Sequence, residues 1–358
     1  MTEQTRTRAP RTSRMNPNFK IRPFDFSEAD YAAYVAIYNA AHPEANRTVE
    51  NLRFLDRTRK PEDLLTRFLA EDQGQVVGLV SYERPFYNPG PDRHPSLRSA
   101  KPRHPTPLRG ERSISRRSAK PRLEVHYRVR PGYEALAEPL WGFLMEQLRP
   151  HTPTLLMTQG REDWPEVAFY LRQGFRELDR MWASTLDLET FDPKPLERPL
   201  PQGITLSTLS ELPYRDKAWL RQHYELIIEL LQSVPSAEPV VPWDFETWLE
   251  RTLQSPDLLP EGYFIALEGE RQVGVSQLWK SSRPQTLQTG LTGVLASYRR
   301  RGIALALKLQ AARFAKAYGV RYLRTNNHSV NRPMLAINEA MGFVKEPAFV
   351  TLIQEISQ

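Results

Sequence analysis

Cysteine is absent from the 358-residue chain, which excludes a disulfide framework, a thiolate nucleophile and a cysteine-ligated metal. Long apolar runs are also missing, and none approaches the roughly 20 residues that a membrane-spanning helix needs. The first residues, M-T-E-Q-T-R-T-R-A-P-R, lack the apolar core of a secretion signal. We therefore expect a cytoplasmic protein with no membrane association and no metal.

Acidic residues are scarce in only two segments, and these two segments account for the basic character of the chain. The net charge is +7, which by itself would suggest a nucleic-acid partner. Residues 93–122 contribute +9 and residues 1–18 contribute +3, so the remaining chain carries −5. The part with regular hydrophobic patterning is thus mildly acidic, which argues against nucleic acid as a partner.

Neither basic segment has the pattern of a folded element. Residues 1–18 are polar and arginine-rich, which predicts a disordered tail. Residues 88–122 mix prolines, arginines and serines without periodicity, and the hexapeptide R-S-A-K-P-R occurs twice, at Arg98–Arg103 and Arg117–Arg122. We interpret this segment as a passive insertion. The alternative is an RNA- or ribosome-binding arm, but the segment has no Phe, Tyr or Trp on which bases could stack.

The rest of the chain divides into two similar halves. Val77-Gly78 recurs as Val273-Gly274, Val129 recurs as Val294, and Gly174-Phe175 recurs as Gly342-Phe343. The separation falls from 196 to 165 residues across the insertion, close to the length of the added segment. The length of the chain also favours two domains. We predict duplicated domains at residues 19–188 and 203–358, joined by a proline-rich linker at residues 189–202.

The stretch Thr292–Tyr318 of the second half has the pattern of an anion-binding element. Strand-forming residues lead into a turn of three arginines and Gly302, and an amphipathic helix follows. Free N–H groups and the positive end of the helix dipole meet at such a turn, where they favour a bound phosphate. We expect one apolar face on this helix and a charged face opposite to it, the apolar face made of Leu307, Ala311, Phe314, Ala315 and Tyr318 and the charged face of Lys308, Arg313 and Lys316.

These residues resemble the GNAT superfamily of acetyl-CoA-dependent N-acetyltransferases. The superfamily's phosphate loop, Q/R-x-x-G-x-G/A, is matched by Arg299–Ala304 (R-R-R-G-I-A), and its closing signature is approached by Asn331–Phe343. The resemblance implies an α/β (α+β) fold of two tandem GNAT-like domains. Each would have a mixed, mostly antiparallel sheet, flanked by helices and splayed between its fourth and fifth strands.

The resemblance also implies a binding site for acetyl-CoA as co-substrate. Backbone N–H groups after Tyr298 would hold the diphosphate, and the end of the fourth strand would pair with the pantetheine arm. Asn331 is expected to contact the cofactor, a role that is compatible with capping the helix that begins near Pro333. The candidate cofactor-binding residues are Val294, Leu295, Ala296, Arg299, Arg300, Arg301, Gly302, Ile303, Ala304, Leu305 and Asn331.

The candidate catalytic residues depart from the family pattern. Asn338 stands where relatives place a tyrosine acid, and an amide cannot deliver a proton to the departing thiolate. Gln288 stands where histone-acetylating relatives carry a glutamate base, which leaves His328 or a relayed water as the base. The first half keeps Tyr170 at the acid position, but two glutamates and a proline occupy its loop, Glu134–Pro139. We therefore expect the first half not to bind CoA and Tyr170 to be a packing residue.

The leading functional hypothesis is an N-acetyltransferase that uses acetyl-CoA to modify a primary amine, which we expect to be on a small molecule. The second half would catalyse direct attack, and the first half would be structural. Acceptor contacts are expected within Trp219–Trp248, which contains Tyr224, Glu225, Glu229, Trp243 and Asp244. The alternatives are a non-catalytic CoA-binding sensor or scaffold, and an enzyme that acts on ribosomal or tRNA-bound substrates. The acceptor, the acyl-chain length and the oligomeric state cannot be read from the sequence.

Overall fold

The computed structural model describes residues 19–44, 47–60, 63–85, 122–235 and 242–356. The predicted tail and the predicted insertion, apart from its last residue, lie outside the described residues. Arg122, which the sequence places in the insertion, is the first residue of a β-strand.

The described part of the first half has six strands and four α-helices. Both early helices begin at hydroxyl side chains that accept a backbone N–H, from Asp30 at Ser27 and from Asn51 at Thr48. The elements are β1 (Lys20–Pro23), α1 (Glu28–Ala41), α2 (Val49–Arg57), β2 (Leu65–Asp72), β3 (Gln75–Glu83), β4 (Arg122–Val129), α3 (Ala137–Leu148), β5 (Leu155–Arg161), α4 (Pro165–Arg172) and β6 (Arg176–Asp187).

The second half repeats this order after a connection that contains one short 3-10 turn, Lys194–Leu196. Aspartates now cap the early helices, Asp216 before α5 and Asp244 before α6. The elements are β7 (Ile204–Thr208), α5 (Lys217–Gln232), α6 (Phe245–Leu253), β8 (Leu258–Glu268), β9 (Arg271–Lys280), β10 (Thr286–Val294), α7 (Ile303–Tyr318), β11 (Tyr322–His328), α8 (Arg332–Met341), β12 (Val344–Lys345) and β13 (Phe349–Glu355).

The strands of both halves form one continuous sheet. Its order is β1-β2-β3-β4-β5-β13-β6-β11-β10-β9-β8-β7, with β12 paired to β6. The C-terminal strand β13 therefore lies inside the first half, between β5 and β6. In turn, β6 continues past β13 and pairs with β11 of the second half. The predicted domain boundaries follow the sequence, whereas hydrogen bonds between strands join residues from both sides of these boundaries.

The fourth and fifth strands of each half part after a short parallel pairing. β4 pairs with β5 only through Arg122–Glu124, and β10 pairs with β11 only through Thr286–Gln288. All other strand pairs are antiparallel. The predicted fold class, a mixed and mostly antiparallel sheet with this splay, is confirmed. The register of β10 also shifts against β9 between Thr289 and Thr292, which marks a β-bulge at Gly290 and Leu291.

The faces of α7 differ from the sequence expectation at two residues, Lys308 and Tyr318. Tyr318, expected on the buried face, is 49% exposed because it is the last residue of the helix. Leu307, Ala311 and Ala315 are buried against the sheet, as predicted. Lys308, expected on the solvent side, is only 2% exposed, and its Nζ lies 5.0 Å from the centre of the Phe343 ring. The expectation for Lys308 was wrong because the segment after α8 covers a side of α7 that an isolated helix would leave open. Among the described residues, no helix is long and apolar enough to cross a membrane.

Candidate functional site

The turn between β10 and α7 has an unusual backbone. A short 3-10 turn at Ala296–Tyr298 follows β10, and Arg300 then adopts a left-handed conformation with φ of 60°. Gly302 is also left-handed, with φ of 78°, and it is the N-cap residue of α7. A non-glycine residue in this region is uncommon and costs free energy. Two left-handed residues so close together turn successive N–H groups toward one side of the turn.

The first turn of α7 leaves its N–H groups available to a ligand. No side chain caps the helix, and its first i to i−4 bond runs from the Ala306 N–H to the Gly302 carbonyl over 3.0 Å. The N–H groups of Ile303, Ala304 and Leu305 precede this bond and have no intrahelical acceptor. A Cβ built on Gly302 would meet no atom within 4 Å, so the turn faces open space. These features fit a diphosphate group.

The three arginines of the turn are exposed and supply positive charge around these amides. The Nε of Arg299 donates to the Val294 carbonyl over 3.2 Å, which ties the turn to the end of β10. Arg301 lies 5.4 Å from the centre of the Tyr298 ring. In the part of the chain that the structure describes, none of the three forms an ion pair with a carboxylate. Their charge is therefore free to meet an anionic ligand.

The strand end predicted to contact the cofactor is partly engaged within the protein. Val294 and Leu295 are buried, whereas Ala296 is exposed. The Leu295 N–H donates to the Val273 carbonyl over 2.9 Å, and the Val294 carbonyl accepts from Arg299. The unpaired edge of β10 lies earlier in the strand, after Gln288, where β11 separates from it. Main-chain contacts to an extended ligand are thus most accessible between Gln288 and Val294.

A buried polar chain that the sequence analysis missed holds the bulge of β10. The Leu291 N–H donates to Gln277 Oε1 over 3.1 Å, and Gln277 Nε2 donates to the Tyr263 hydroxyl over 2.8 Å. The same hydroxyl lies 2.7 Å from Nε2 of His223, which is fully buried on α5. Burial lowers the pKa of His223 to about 4, so the ring is neutral at pH 7. The only sequence signal of this hydrogen-bond chain was a histidine on an otherwise apolar face of α5.

Gly290 allows the bulge to fit against β9. A Cβ at this position would lie 2.3 Å from Nε1 of Trp279 and 2.8 Å from Oε1 of Gln277. No side chain other than hydrogen fits there without moving the buried glutamine. Gly290 and the polar chain together fix where β10 leaves β11.

The predicted catalytic residues lie on the far side of the splay, on β11 and α8. Asn338 is 2% exposed, and its Nδ2 donates to Oδ1 of Asn327 over 2.6 Å. The Oδ1 atom of Asn338 has no hydrogen-bond partner among the described residues. Asn331 caps α8, with its Oδ1 accepting the Met334 N–H over 3.4 Å. The structure thus bears out the capping role of Asn331.

His328 has both ring nitrogens engaged. Nδ1 accepts the Val330 N–H over 3.1 Å, and Nε2 lies 2.6 Å from Oδ1 of Asp179. The ring is therefore held between its own loop and β6, with the Nε2 proton directed at the carboxylate. This geometry does not favour His328 as a base, because neither nitrogen has a free lone pair.

Part of the second half matches the model of a known protein family. Residues 224–343 match the model of the acetyltransferase (GNAT) family, a span that includes the β10–α7 turn, Asn331 and the closing Gly342-Phe343. The second half contains a GNAT acetyltransferase domain. No curated protein sequence matches the chain.

Solved structures extend the GNAT fold to the whole chain. A tandem GNAT protein from the clavulanic acid biosynthesis pathway, described without AcCoA, aligns with a TM-score of 0.67 at 18% identity and covers 95% of this chain and 99% of its own. A GCN5-related N-acetyltransferase from Sphaerobacter thermophilus aligns with a TM-score of 0.62 at 19% identity and covers 96% and 98%. The chain therefore has the tandem GNAT fold.

The first GNAT-like half has a different interior at its own splay. The Tyr170 hydroxyl accepts the Tyr127 N–H over 2.9 Å, and the side chain is 3% exposed. This hydrogen bond uses a main-chain N–H of β4, the strand that faces the splay, so the N–H is not available to a ligand. Glu134 and Glu138 stand at the start of α3, where an anion would have to bind. Both features fit the predicted packing role of Tyr170 and the expectation that this half does not hold CoA.

The helices that cover the second GNAT domain also contact the first half. The Tyr224 hydroxyl donates to the Trp243 carbonyl over 2.6 Å, which joins α5 to the segment before α6. Asp244 lies 2.7 Å from Nζ of Lys60, and the Asn51 amide donates to Asp257 over 2.6 Å. Residues 236–241 of the predicted acceptor region lie outside the described residues. The first half thus packs beside the surface that the family would use for the acceptor.

Proposed function

We propose that the second half binds acetyl-CoA and transfers the acetyl group to the primary amine of a small molecule. The observation that carries this proposal is the uncapped start of α7 beside three exposed arginines and an open splay. The diphosphate rests on the N–H groups from Arg301 to Leu305, with the side chains of Arg299 and Arg300 around it. Val294, Leu295 and Ala296 line the path of the pantetheine arm, and Asn331 flanks it from the start of α8.

The reaction is direct attack by the neutral amine on the thioester carbonyl. The new C–N bond forms a tetrahedral intermediate, whose oxygen is met by an N–H of β10 near the bulge. Collapse of this intermediate breaks the C–S bond and releases the CoA thiolate, and the amine loses a proton to water. Asn338 supplies at most a hydrogen bond near the sulfur, because an amide has no proton to transfer at neutral pH. His328 is left outside proton transfer because both of its nitrogens are engaged.

A small cationic acceptor fits the charge of the chain. Outside the two basic segments the net charge is −5, which favours a cationic amine over an acid as the acceptor. The contacts of Lys60 with Asp244 and of Asn51 with Asp257 support a role for the first half in framing the acceptor site.

The test is release of free thiol from acetyl-CoA in the presence of a broad panel of amines. We expect amine-dependent release with at least one small amine, and loss of release in Gly302→Glu. Saturable CoA binding without turnover on any amine would instead support a CoA-binding sensor. That second function is favoured by one observation, the absence of a titratable side chain at Asn338.

A further inference from the structure

The first half contains a cavity that the acetyltransferase reaction does not use. It has a volume of about 290 Å³ and lies between α1, α2 and the strands β2 to β5, with Phe349 of β13 at one wall. This is near the lower limit of small-molecule pockets. The side chains that matter for its chemistry are Tyr38, Arg47, Glu83, Glu124, His126 and Arg128.

Arg128 is a buried cation with unused hydrogen-bond donors. It is 7% exposed, and its buried Nε has no hydrogen-bond partner among the described residues. Its nearest charged contact is Glu166, with Nε 3.9 Å from Oε1, and it lies 4.7 Å from the centre of the Tyr38 ring. A guanidinium has five N–H donors, and leaving them unpaired in a buried site costs free energy. An anionic group in the cavity would satisfy them.

Arg47 brings a second guanidinium to the same place. It lies 4.0 Å from the centre of the Tyr38 ring and also donates no side-chain hydrogen bond to a described residue. Arg47 and Arg128 lie 4.0 and 4.7 Å from the centre of the Tyr38 ring, and both line the cavity. Guanidinium groups bind carboxylate or phosphate oxygens well.

The other charged wall of the cavity is acidic. Glu124 lies 3.3 Å from Nε2 of His126, and Glu83 forms an ion pair with Arg59. Ligand atoms of Glu83, Glu124 and His126 lie within 4.8 Å of one another, a spacing that a metal ion could use. The Arg59 guanidinium already neutralises Glu83, so a second cation at that carboxylate is disfavoured. Glu124 is thus better placed to meet an amino group of a ligand.

The register of the sheet shows which residue of the second half corresponds to Glu124 of this cavity. Glu124 pairs with Glu83, five residues after Gly78, and Gln288 pairs with Trp279, five residues after Gly274. Glu124 therefore occupies in the first half the position of Gln288 in the second. The first half has kept a charged cavity under α1 and α2, while Tyr170 occupies a main-chain amide of its splay. Such a cavity can bind a ligand without an acyl donor beside it.

We propose that the first half binds a small zwitterion of the amino-acid type, with its carboxylate or phosphate on Arg47 and Arg128 and its amino group toward Glu124. The ligand binds without being acetylated there, and the site is separate from the acetyl-CoA site of the second half.

Isothermal titration calorimetry on the full chain tests this proposal. The probes are the common amino acids, O-phosphoserine, inorganic phosphate and amines that lack a carboxylate. We expect saturable binding of at least one amino acid or of O-phosphoserine. Arg47→Gln and Arg128→Gln should each weaken it about tenfold or more, because a charge-assisted fork is lost. Glu124→Gln should weaken binding of the zwitterion but not of inorganic phosphate.

Matched controls separate this site from folding defects and from the acetyltransferase site. Arg172→Gln removes an exposed arginine that also stacks on a ring, Phe169, outside the cavity, and should leave the affinity unchanged. Because Arg128 is buried, Arg47→Gln is the variant that decides the test if Arg128→Gln does not fold. Gly302→Glu should lose CoA binding and keep zwitterion binding.

Three results would overturn the proposal. One is the absence of saturable binding by any probe, and another is unchanged affinity in Arg47→Gln. The third is Zn²⁺ binding that is lost in His126→Ala, in a protein that binds none of the zwitterions.

Discussion

At the scale of single residues, Lys308 is the most unusual side chain of the second half. It is buried on α7 beside Phe343, and in the described part of the chain it has no carboxylate partner. Burial lowers its pKa to about 8 from the usual 10.5. The folded state therefore disfavours the charged amine, and the lysine costs stability at neutral pH.

The first prediction concerns Lys308→Met. Between pH 8 and pH 10.5 the unfolded chain binds the lysine proton and the folded chain does not, so the free energy of unfolding rises with pH in this window. We expect the variant to be more stable than the parent at pH 7 by roughly 3 kcal/mol. The difference should vanish above pH 10.5. Urea unfolding across this range is the measurement, and a difference that does not change with pH would contradict it.

Gly302 carries the second prediction. A glutamate there places a side chain at a left-handed position and a negative charge at the start of α7. We expect Gly302→Glu to lose CoA binding while the melting temperature changes by only a few degrees. Ala135→Glu, at the exposed matching turn of the first half, is the control and should leave CoA affinity unchanged. Calorimetry with CoA decides between these results, and retained affinity in Gly302→Glu would remove the proposed site.

At the scale of elements, the bulge of β10 depends on a side chain from the neighbouring strand. Gln277 accepts the Leu291 N–H and donates to Tyr263, so a strand irregularity is stabilised by a buried hydrogen-bond chain. Without Gln277, the Leu291 amide would be buried and unpaired, which costs about 1–3 kcal/mol.

The third prediction follows for Gln277→Leu. We expect a loss of stability of about 1–3 kcal/mol and weaker CoA binding, because the free edge of β10 moves. Gln222→Leu on the exposed side of α5 is the matched control. Equal effects of the two substitutions on thermal unfolding and CoA affinity would contradict a specific role for the bulge.

Local patterns made the loop and the fold predictable. The arginines, Gly302 and the helix after them lie within a few residues of each other, and the repeated landmarks marked a second copy. Lys308 and Gln277 were not predictable because their environments come from distant segments, Phe343 for the lysine and Tyr263 for the glutamine. For the same reason, the contact of His328 Nε2 with Asp179 was not predictable, because Asp179 lies on β6 of the first half.

At the scale of the whole molecule, the two halves share strands and cannot unfold independently without breaking a common sheet. β13 supplies the neighbour of β5, and β6 supplies the neighbour of β11. Nothing in the sequence indicated this exchange, because each terminal strand has the same alternating pattern whichever half it joins.

The fourth prediction uses Ile353, a fully buried residue of β13. Ile353→Ala removes three buried carbons from β13, between β5 and β6, so we expect a loss of about 2–5 kcal/mol. Hydrogen exchange should speed up in β5 and β6 although the substitution lies near the C-terminus. Glu355→Ala, at the exposed end of the strand, is the control. Faster exchange confined to β7–β10 would contradict the strand order.

The most direct test of the account is a crystal structure of the protein with acetyl-CoA. We predict one cofactor in each chain, with its diphosphate within hydrogen-bonding distance of the N–H groups between Arg301 and Leu305. Its pantetheine arm should enter the splay between β10 and β11. A cofactor bound at the start of α3, or one whose diphosphate lies away from the β10–α7 turn, would contradict the central claim.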